Sequence, residues 1–406
     1  MRNFFRLVIF ISLSLYDKFK SFVGLHYFRA QRSHPVAIVI NGYNLTMRNN
    51  AYGCEGVQHL LQVFSRPSHQ LPIILQPFSF KPRGRIEFEI ERIEKYLSTT
   101  EFCWKAMQSI KRVGLSKTKL SIFSILEFEL WCKYLVQSKL KLLFAIYPSE
   151  ALKTACCALK IKLYDVQHGL FPVELMDSSD QYLKSRYNSN QIVWSNHESE
   201  FFARIGHHAL VLGHPKPEVK SKAQRDLMIS VSLTYDHPFP SDSKGLFGKE
   251  MESAIEELIQ ENCLLFVFFH PMCLMPVNIG ERRKQFSYFK EYILDKFSSS
   301  NIHAIHPNRL AFKDAISRSR VLVTEPGTSI IDAALRGVPS LVVGNSISPP
   351  LQFDSLERLG YLQIAKRGDL LRQVQEMQSI TVSPLQMNGL EKDIQSINSE
   401  LDFFLT

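Results

Sequence analysis

Short apolar runs alternate with amphipathic segments along most of this chain, and this alternation constrains the fold more than any other feature. Runs rich in Val, Ile, Leu and Phe are typical of buried strands. The predicted strands are Pro35–Ile40, Leu71–Leu75, Leu142–Ile146, Lys162–Val166, Gln191–Trp194, Ala209–Leu212, Leu227–Leu233, Leu264–Phe269, Ile302–Ile305, Val321–Val323 and Ser340–Val343. The predicted helices lie at 86–97, 121–140, 148–159, 198–205, 249–260, 281–297, 310–318 and 329–336. Strands that alternate with helices form parallel sheets, so we expect an α/β protein with two doubly wound halves.

A polar segment at residues 213–225 separates the two series of strands and contains two prolines, which is typical of a linker between domains. A length of 406 residues also suits two domains of ordinary size. We therefore predict a first domain at 34–215 and a second domain at 216–384. A separate segment precedes them at 1–33, and a C-terminal helix follows at 385–406.

The charge distribution is uneven. Lys and Arg number 48 against 39 Asp and Glu, a formal net charge of +9, and the excess lies mainly in residues 1–32 and 105–141. A basic surface favours a polyanionic partner. Because the sequence has no RNP-type strand, zinc finger or basic helix-turn-helix, nucleic acid is not an expected partner. Both basic stretches contain large apolar residues, so we predict an anionic membrane surface instead.

The first residues allow two interpretations. Met1–Tyr16 has a basic end and an apolar run at Leu7–Leu15, as a signal peptide does, but no small-x-small cleavage site follows it. The apolar run is also shorter than the roughly 20 residues that span a bilayer. It is either an interfacial helix or a helix packed on the domain. We expect a cytoplasmic protein with reduced thiols, peripheral on the inner face of the plasma membrane under the first interpretation.

The segment 321–343 holds the clearest motif. A buried strand ends at Thr324, a loop with Glu325 and Gly327 follows, and Thr328 or Ser329 is placed to cap the next helix. The free amides and the dipole of a helix N-terminus suit a phosphate. One turn into the helix, the carboxylate of Asp332 is placed to accept hydrogen bonds from ribose hydroxyls. An ordinary capped β-α-β unit explains the same segment equally well.

Two further motifs follow predicted strands. His270-Pro271 ends a strand of the second half, and the carboxyl edge of an open α/β sheet is its ligand side. In the first half, Gln167-His168-Gly169 also follows a strand; Gly169 allows close approach of the backbone to a ligand, and His168 is a candidate general base. Both histidines are equally compatible with a structural role at a strand end.

In their order and spacing these motifs resemble the GT-B glycosyltransferases of bacterial surface (capsular and lipopolysaccharide) polysaccharide biosynthesis. The resemblance is to the His-Pro-motif group, which includes CDP-glycerol glycerophosphotransferases and Kdo- and sialyltransferases. It rests on Gln167–Gly169, Gly213–Pro215, His270-Pro271 and the helix start at 324–332. It implies two Rossmann-like doubly wound domains facing a central cleft, with the donor on the second domain and the acceptor on the first.

The resemblance also implies an activity: transfer of a sugar from a nucleotide-activated donor to a growing surface polysaccharide or lipid-linked glycan. The His-Pro motif favours a donor that is linked to cytidine. The nucleotide sugar is a substrate, so no cofactor is expected, and the mechanism of this group is metal-independent. The residues that it implies for donor binding are His270, Pro271, Thr324, Glu325, Gly327, Thr328, Ser329 and Asp332. The implied acceptor or cleft residues are Gln167, Gly169 and Gly213, and the implied base is His168 or, second, Glu174.

The sequence also departs from the group. Asp332 stands where this fold often has Glu, and the acidic motif of some sialyltransferases is missing, which disfavours a sialic-acid donor. No Asp-x-Asp occurs, and His207, His208 and His214 lack acidic or Cys partners at ligand spacing, so we predict no metal site and three surface histidines. Two alternatives therefore remain: a nucleotide-sugar 2-epimerase of the same fold, or a non-catalytic GT-B-like binding subunit.

Overall fold

The computed structural model describes most of the chain. The described residues are 34–41, 45–48, 51–64, 71–76, 85–86, 90–92, 116–167, 190–215, 227–233, 249–269, 291, 293–305, 312–344, 353–380 and 382–405. The N-terminal segment 1–33, with its two interpretations, lies outside them. None of the helices in the described part of the chain is long and apolar enough to span a bilayer.

The strands follow the predicted series closely. In chain order they are β1 (Val36–Ile40), β2 (Thr46–Arg48), β3 (Ala51–Gly53), β4 (Ile73–Leu75), β5 (Arg85–Ile86), β6 (Ile90–Arg92), β7 (Leu142–Ile146), β8 (Lys162–Val166), β9 (Asn190–Val193), β10 (Ala209–Val211), β11 (Leu227–Leu233), β12 (Leu265–Phe269), β13 (Ile302–Ile305), β14 (Ser319–Thr324), β15 (Ser340–Val342) and β16 (Leu362–Ile364). The helices are α1 (Glu55–Val63), α2 (Ser116–Ser138), α3 (Glu150–Ala158), α4 (Asn196–Arg204), α5 (Lys249–Gln260), α6 (Phe312–Arg318), α7 (Ser329–Ala334), α8 (Phe353–Arg358), α9 (Leu370–Ser379) and α10 (Glu391–Leu405).

Seven strands form the first sheet, in the order β10-β9-β8-β7-β1-β4-β6, and every neighbouring pair is parallel. β1 is buried at all five positions, as expected of a central strand covered on both faces. Ile38 and Phe144 pack on the face that carries α1 and α10, and Val39 packs with Trp131 of α2 on the other face. A small sheet, β2-β3-β5, accompanies it.

Six strands form the second sheet, in the order β13-β12-β11-β14-β15-β16, again all parallel. Val231 and Val323 pack against Met251 and Ile255 of α5 on one face, and Leu322 packs in a separate cluster. In both sheets the first strand lies inside, and later strands are added first on one side and then on the other. This reversal of direction defines a doubly wound sheet, so the predicted architecture is confirmed.

The last helix, α10, belongs to the core of the first sheet. Ile397 and Leu401 are fully buried there, and Asp393 Oδ2 accepts a hydrogen bond of 2.8 Å from the backbone N–H of Val211. Asn398 Nδ2 donates to the carbonyl of Val63 at 3.1 Å. The chain therefore returns from the second sheet to the first. The predicted terminal helix begins only at residue 391, after an irregular part, the return segment 382–390.

The return segment crosses the end of β10 at very short range. Gly213 has φ +83° and forms an antiparallel bridge with Asn388. A Cβ on Gly213 would lie 2.6 Å from the backbone nitrogen of Gly389, and a Cβ on Gly389 would lie 2.8 Å from the carbonyl oxygen of Leu212. Two glycines therefore face each other at this crossing because no side chain fits there.

One predicted element is wrong. Residues 86–97 have apolar side chains at helical spacing, but β5 and β6 lie in this range, and Ile90 pairs with Ile73 of β4. Pairing with β4 gives its backbone groups hydrogen-bond partners, and this long-range gain overrides the local periodicity. The boundary residues of the other described elements shift by a few positions, as in α2, which begins at Ser116 rather than at 121. Most of the predicted helix at 281–297 lies outside the described residues.

We expect Gly213→Ala to lower the free energy of unfolding by at least about 2 kcal/mol, because a Cβ adds both a strained backbone and a collision with the return segment. Equilibrium unfolding in urea measures the loss. Gly360→Ala is the matched control, since Gly360 has φ +77° but nothing within 4 Å of its Cβ position. Equal losses in the two variants would show that the crossing tolerates a methyl group.

Candidate active site

The winding of the second sheet reverses between β11 and β14, and polar groups gather at the carboxyl ends of these two strands. Thr324, the last residue of β14, is fully buried, and its Oγ1 donates to the carbonyl of Ser232 on β11 at 3.2 Å. Open sheets of this strand order bind ligands in the crevice outside this reversal point. The geometry therefore places the predicted 324–332 motif at the position where this class of sheet binds ligands.

The loop after β14 leads directly into α7. Thr324 Oγ1 and Ser329 Oγ are 2.9 Å apart, so the Ser329 hydroxyl is turned toward the strand. Thr328 has helical dihedral angles (φ −62°, ψ −19°) and makes no side-chain capping hydrogen bond. The predicted side-chain cap is therefore wrong for Thr328. Glu325, Gly327 and Thr328 are partly exposed, whereas α7 itself is buried at all six positions.

Asp332 lies on α7 and is only 6% exposed. Its carbonyl accepts a hydrogen bond of 2.7 Å from Arg336 Nη1, and the same nitrogen lies 3.9 Å from Asp332 Oδ1. Arg336 is itself buried, so each charge offsets the other inside the fold. Sequence reasoning missed Arg336, although the spacing of four residues between an acid and an arginine on a helix was the available signal.

The first sheet reverses its winding between β1 and β7, and a buried glutamine lies beside this point. Gln76 follows β4 and is 2% exposed. Its Nε2 donates to the carbonyl of Tyr147 at 2.9 Å, and its Oε1 accepts from the backbone N–H of Ser149 at 3.1 Å. Its own N–H bonds to the carbonyl of Ile40. Gln76 thus links the end of β4 to β1 through its backbone and to the loop after β7 through its carboxamide.

A carboxyl group from α2 joins the same loop. Glu127 Oε1 accepts hydrogen bonds from Ser149 Oγ and, at 3.2 Å, from Trp131 Nε1. Burial raises the pKa of the Glu127 carboxyl above its ordinary value, against the opposing effect of these two donors. Ser149 Oγ also caps α3 through the N–H of Leu152. Sequence reasoning missed Gln76, Tyr147 and Glu127; polar residues directly after apolar strands were the only signal for the first two.

The other predicted site residues have separate placements. Gln167 is 6% exposed; its Oε1 accepts from Trp194 N at 2.9 Å and its Nε2 donates to Glu198 at 3.3 Å, so its amide joins β8 to α4. Gly213 lies at the crossing of the return segment. The remaining predicted residues, His168, Gly169, Glu174, His270 and Pro271, lie outside the described residues.

Of the three histidines predicted at the surface, His208 is exposed as predicted, but His214 is not. His214 is 8% exposed and packs edge-on against Trp194 with ring centroids 4.4 Å apart, so its predicted surface position is wrong. It lines a cavity of about 180 Å³ together with His59 and Met387. His59 Nε2 lies 2.9 Å from the carbonyl oxygen of Leu212, and burial lowers its pKa. Among the described residues, no group of three or more His, Cys, Asp or Glu is arranged to hold a metal ion.

A buried ion pair joins α3 to β8, the strand that leads to Gln167. Lys153 of α3 is 7% exposed, and its Nζ lies 3.3 Å from Asp165 Oδ2 on β8. Burial raises the pKa of Asp165 to about 6, although the ammonium of Lys153 acts in the opposite direction. Desolvation of this carboxylate therefore outweighs the attraction of its partner.

The fold resembles several solved structures. No protein-family model matches the sequence, and the comparison with curated proteins gives no match. A UDP-GlcNAc 2-epimerase from Methanocaldococcus jannaschii, solved with UDP-GlcNAc and UDP, has a TM-score of 0.56 at 13% identity, over 91% of this chain and 99% of that one. A UDP-N-acetylglucosamine 2-epimerase from Rickettsia bellii has a TM-score of 0.52 at 12% identity, over 92% and 96%. The glycotransferase of kitacinnamycin has a TM-score of 0.50 at 11% identity, over 93% and 100%.

At these identities the likeness is one of fold. The neighbours have the two-domain GT-B arrangement of Rossmann-like halves, and the two parallel sheets of this chain match it. The chain therefore has the GT-B fold that the sequence predicts. The neighbours are enzymes and include both epimerases and a glycosyltransferase, so the fold alone does not choose between these two reactions.

We expect Gln76→Met to lower the free energy of unfolding by about 2 kcal/mol, because it leaves the Tyr147 carbonyl and the Ser149 N–H without their buried partner. Urea unfolding monitored by circular dichroism measures the change. Gln395→Met is the control, since Gln395 lies on the exposed face of α10 and its side chain donates to Glu391 one turn away on the same helix. A similar, small loss in both variants would contradict the assigned role of Gln76.

The raised pKa of Asp165 predicts how the stability of the protein depends on pH. In the native state this carboxyl holds its proton up to about pH 6, whereas the unfolded chain releases it near the ordinary value of 3.8. The stability of the wild type relative to Asp165→Asn should therefore fall by about 2 kcal/mol as pH rises from 4 to 6.5. Urea unfolding across this range measures the difference. A relative stability that rises with pH would show that the pair with Lys153 outweighs desolvation.

Proposed function

We propose that this protein is a glycosyltransferase that moves a sugar from a nucleotide-activated donor to a glycan acceptor. The observation that carries the proposal is the Thr324–Ser232 hydrogen bond at the reversal point of the second sheet, where the 324–332 motif begins. Nucleotides bind outside this point in sheets of the same strand order. The M. jannaschii neighbour, solved with UDP-GlcNAc and UDP, supports a nucleotide-sugar ligand for this chain.

The donor would lie against the second domain. The loop residues Glu325, Gly327 and Thr328, with the hydroxyls of Thr324 and Ser329, border the proposed phosphate position. His270, which follows β12 directly in the sequence, would donate to a phosphate oxygen and stabilise the leaving nucleotide, with Pro271 fixing its turn. Asp332 would accept hydrogen bonds from the ribose.

The acceptor would lie against the first domain. A base from this domain takes the proton of the attacking hydroxyl, and His168 is the first choice and Glu174 the second. Gln167, Gly169 and Gly213 are the residues proposed to contact the acceptor. The buried amide of Gln167 would act by fixing the chain directly before His168, since it bonds to Trp194 and to Glu198 of α4 rather than facing solvent.

The finer identity is also a proposal. The His-Pro motif favours a cytidine-linked donor and the His-Pro group of surface polysaccharide transferases. The basic excess at 1–32 and 105–141 favours a lipid-linked or surface glycan acceptor at the inner face of the plasma membrane. Each Lys or Arg near an anionic leaflet adds roughly 1 kcal/mol, so a few of them suffice for reversible attachment.

A second candidate function is nucleotide-sugar 2-epimerisation, which the epimerase neighbours favour. An epimerase converts free UDP-GlcNAc without an acceptor, so proton NMR of protein mixed with this sugar nucleotide separates the two reactions. Appearance of a 2-epimer with no acceptor present would favour the epimerase. Release of nucleotide that depends on an added glycan would favour the transferase.

We expect one nucleotide of a panel of CDP, CMP, UDP and GDP to raise the melting temperature, because a ligand at a hundred times its Kd stabilises by about 2.7 kcal/mol. His270→Ala should remove most of the shift and leave the melting temperature of the free protein unchanged. His303→Ala is the control, since His303 is exposed on β13. A panel without any shift would favour the non-catalytic subunit, and an unchanged shift in His270→Ala would contradict the donor assignment.

A further inference from the structure

Tyr147 has a backbone conformation that side chains of its size rarely adopt. The described residues other than glycine with positive φ are Lys139, Tyr147, Lys160, Asn262 and Ser298. Four of them follow the ends of helices, where a left-handed residue is an ordinary terminator. Tyr147, at φ 58°, instead follows β7. A bulky residue in this region is an outlier, and such outliers concentrate at ligand sites.

Hydrogen bonds from buried side chains fix the backbone at Tyr147. Gln76 bonds to the carbonyl of Tyr147 and to the N–H of Ser149, and its side chain is itself buried. Ser149 is further fixed by Glu127 and by its own cap on α3. The loop 147–149 is therefore positioned by groups from β4 and α2, two elements remote from it in the sequence.

The side chain that this backbone presents is exposed. Tyr147 is 55% exposed, although it follows five fully buried residues of β7. Its position is the carboxyl edge of the first sheet, beside the reversal between β1 and β7, which is the ligand edge of a doubly wound sheet. The fold therefore holds a large ring in a costly conformation with more than half of its surface in solvent, where it adds little to the core.

The chemistry of the position suits a sugar ring. An aromatic face carries negative partial charge and attracts the polarised C–H groups on one face of a pyranose. Rings with one apolar end and one polar end are also preferred where a ligand has apolar and hydroxyl surfaces together. We propose that Tyr147 is the stacking platform for the terminal pyranose ring of the acceptor glycan. This inference rests on the proposed transferase function, because it gives the first domain an acceptor subsite.

Saturation-transfer NMR tests the platform with defined probes: the methyl glycosides of glucose, galactose, mannose, N-acetylglucosamine and N-acetylgalactosamine, each added to the full-length protein with CDP or UDP. We expect transfer to the ring protons of at least one glycoside. Tyr147→Phe should keep its Kd within about threefold, because the ring face is retained. Tyr147→Asn should weaken binding about tenfold or more, the loss expected for a ring contact in a weak complex.

The Asn variant also separates a functional role from a structural one. Asn tolerates positive φ far better than Tyr, so Tyr147→Asn should melt at the same temperature as the wild type or higher while losing the glycoside. Phe403→Ala, which removes a 75% exposed ring on α10, is the matched control and should change neither property. A lower melting temperature for Tyr147→Asn, or glycoside binding that survives it, would overturn the platform.

The remaining outcomes divide the two proposals. If a nucleotide binds but no glycoside shows saturation transfer from the protein, the platform is overturned and the proposed donor site is unaffected. Glycoside binding lost equally in Tyr147→Phe and Tyr147→Asn overturns stacking on the ring face, since it assigns the contact to the hydroxyl. Failure of the nucleotides in the melting-temperature panel overturns the proposed function itself.

Discussion

Parallel pairing about two inner strands, β1 and β11, is the constraint on which the rest of the molecule depends. A parallel sheet requires a crossover for every strand, and the crossovers cover both faces, so the inner strands must be apolar on both sides. β1 meets this requirement at all five positions. Because each sheet grows in both directions from its first strand, each has a point where the connections that leave two neighbouring strands run in opposite directions. The candidate donor site and the Tyr147 loop lie at these two points.

Most of the fold was predictable from the sequence because its signals are local. Apolar runs such as Val36–Ile40 and Leu142–Ile146 are too short for helices and too continuous for exposed strands, and both appear as central strands. The range 86–97 was mispredicted because its helical spacing is a local property, whereas the pairing of β6 with β4 is a property of the assembled sheet. The packing of α10 on the first sheet was likewise not predictable, since no feature of residues 391–405 indicates which surface they cover.

The candidate site divides in the same way. The 324–332 motif was identified because strand, glycine loop and helix are contiguous in the sequence. The Gln76–Tyr147–Ser149 arrangement was missed because its members lie about seventy residues apart and are joined only by hydrogen bonds across the sheet edge. Gln167 was correctly placed at a strand end, but the sequence contained no sign that its amide is used to bond Trp194 and Glu198. Sequence reasoning thus finds sites built along the chain more readily than sites built across it.

The return of α10 also has a consequence for biosynthesis. Ile397 and Leu401 belong to the same core as β1, although they lie about 360 residues later. Domains usually fold in the order in which they leave the ribosome. Here the first sheet emerges early but lacks part of its core until residues 391–405 have been made. The second sheet is therefore able to fold before the core of the first sheet is complete. A nascent chain of this protein therefore exposes the apolar surface that Ile397 and Leu401 cover while the residues between β10 and α10 are being made.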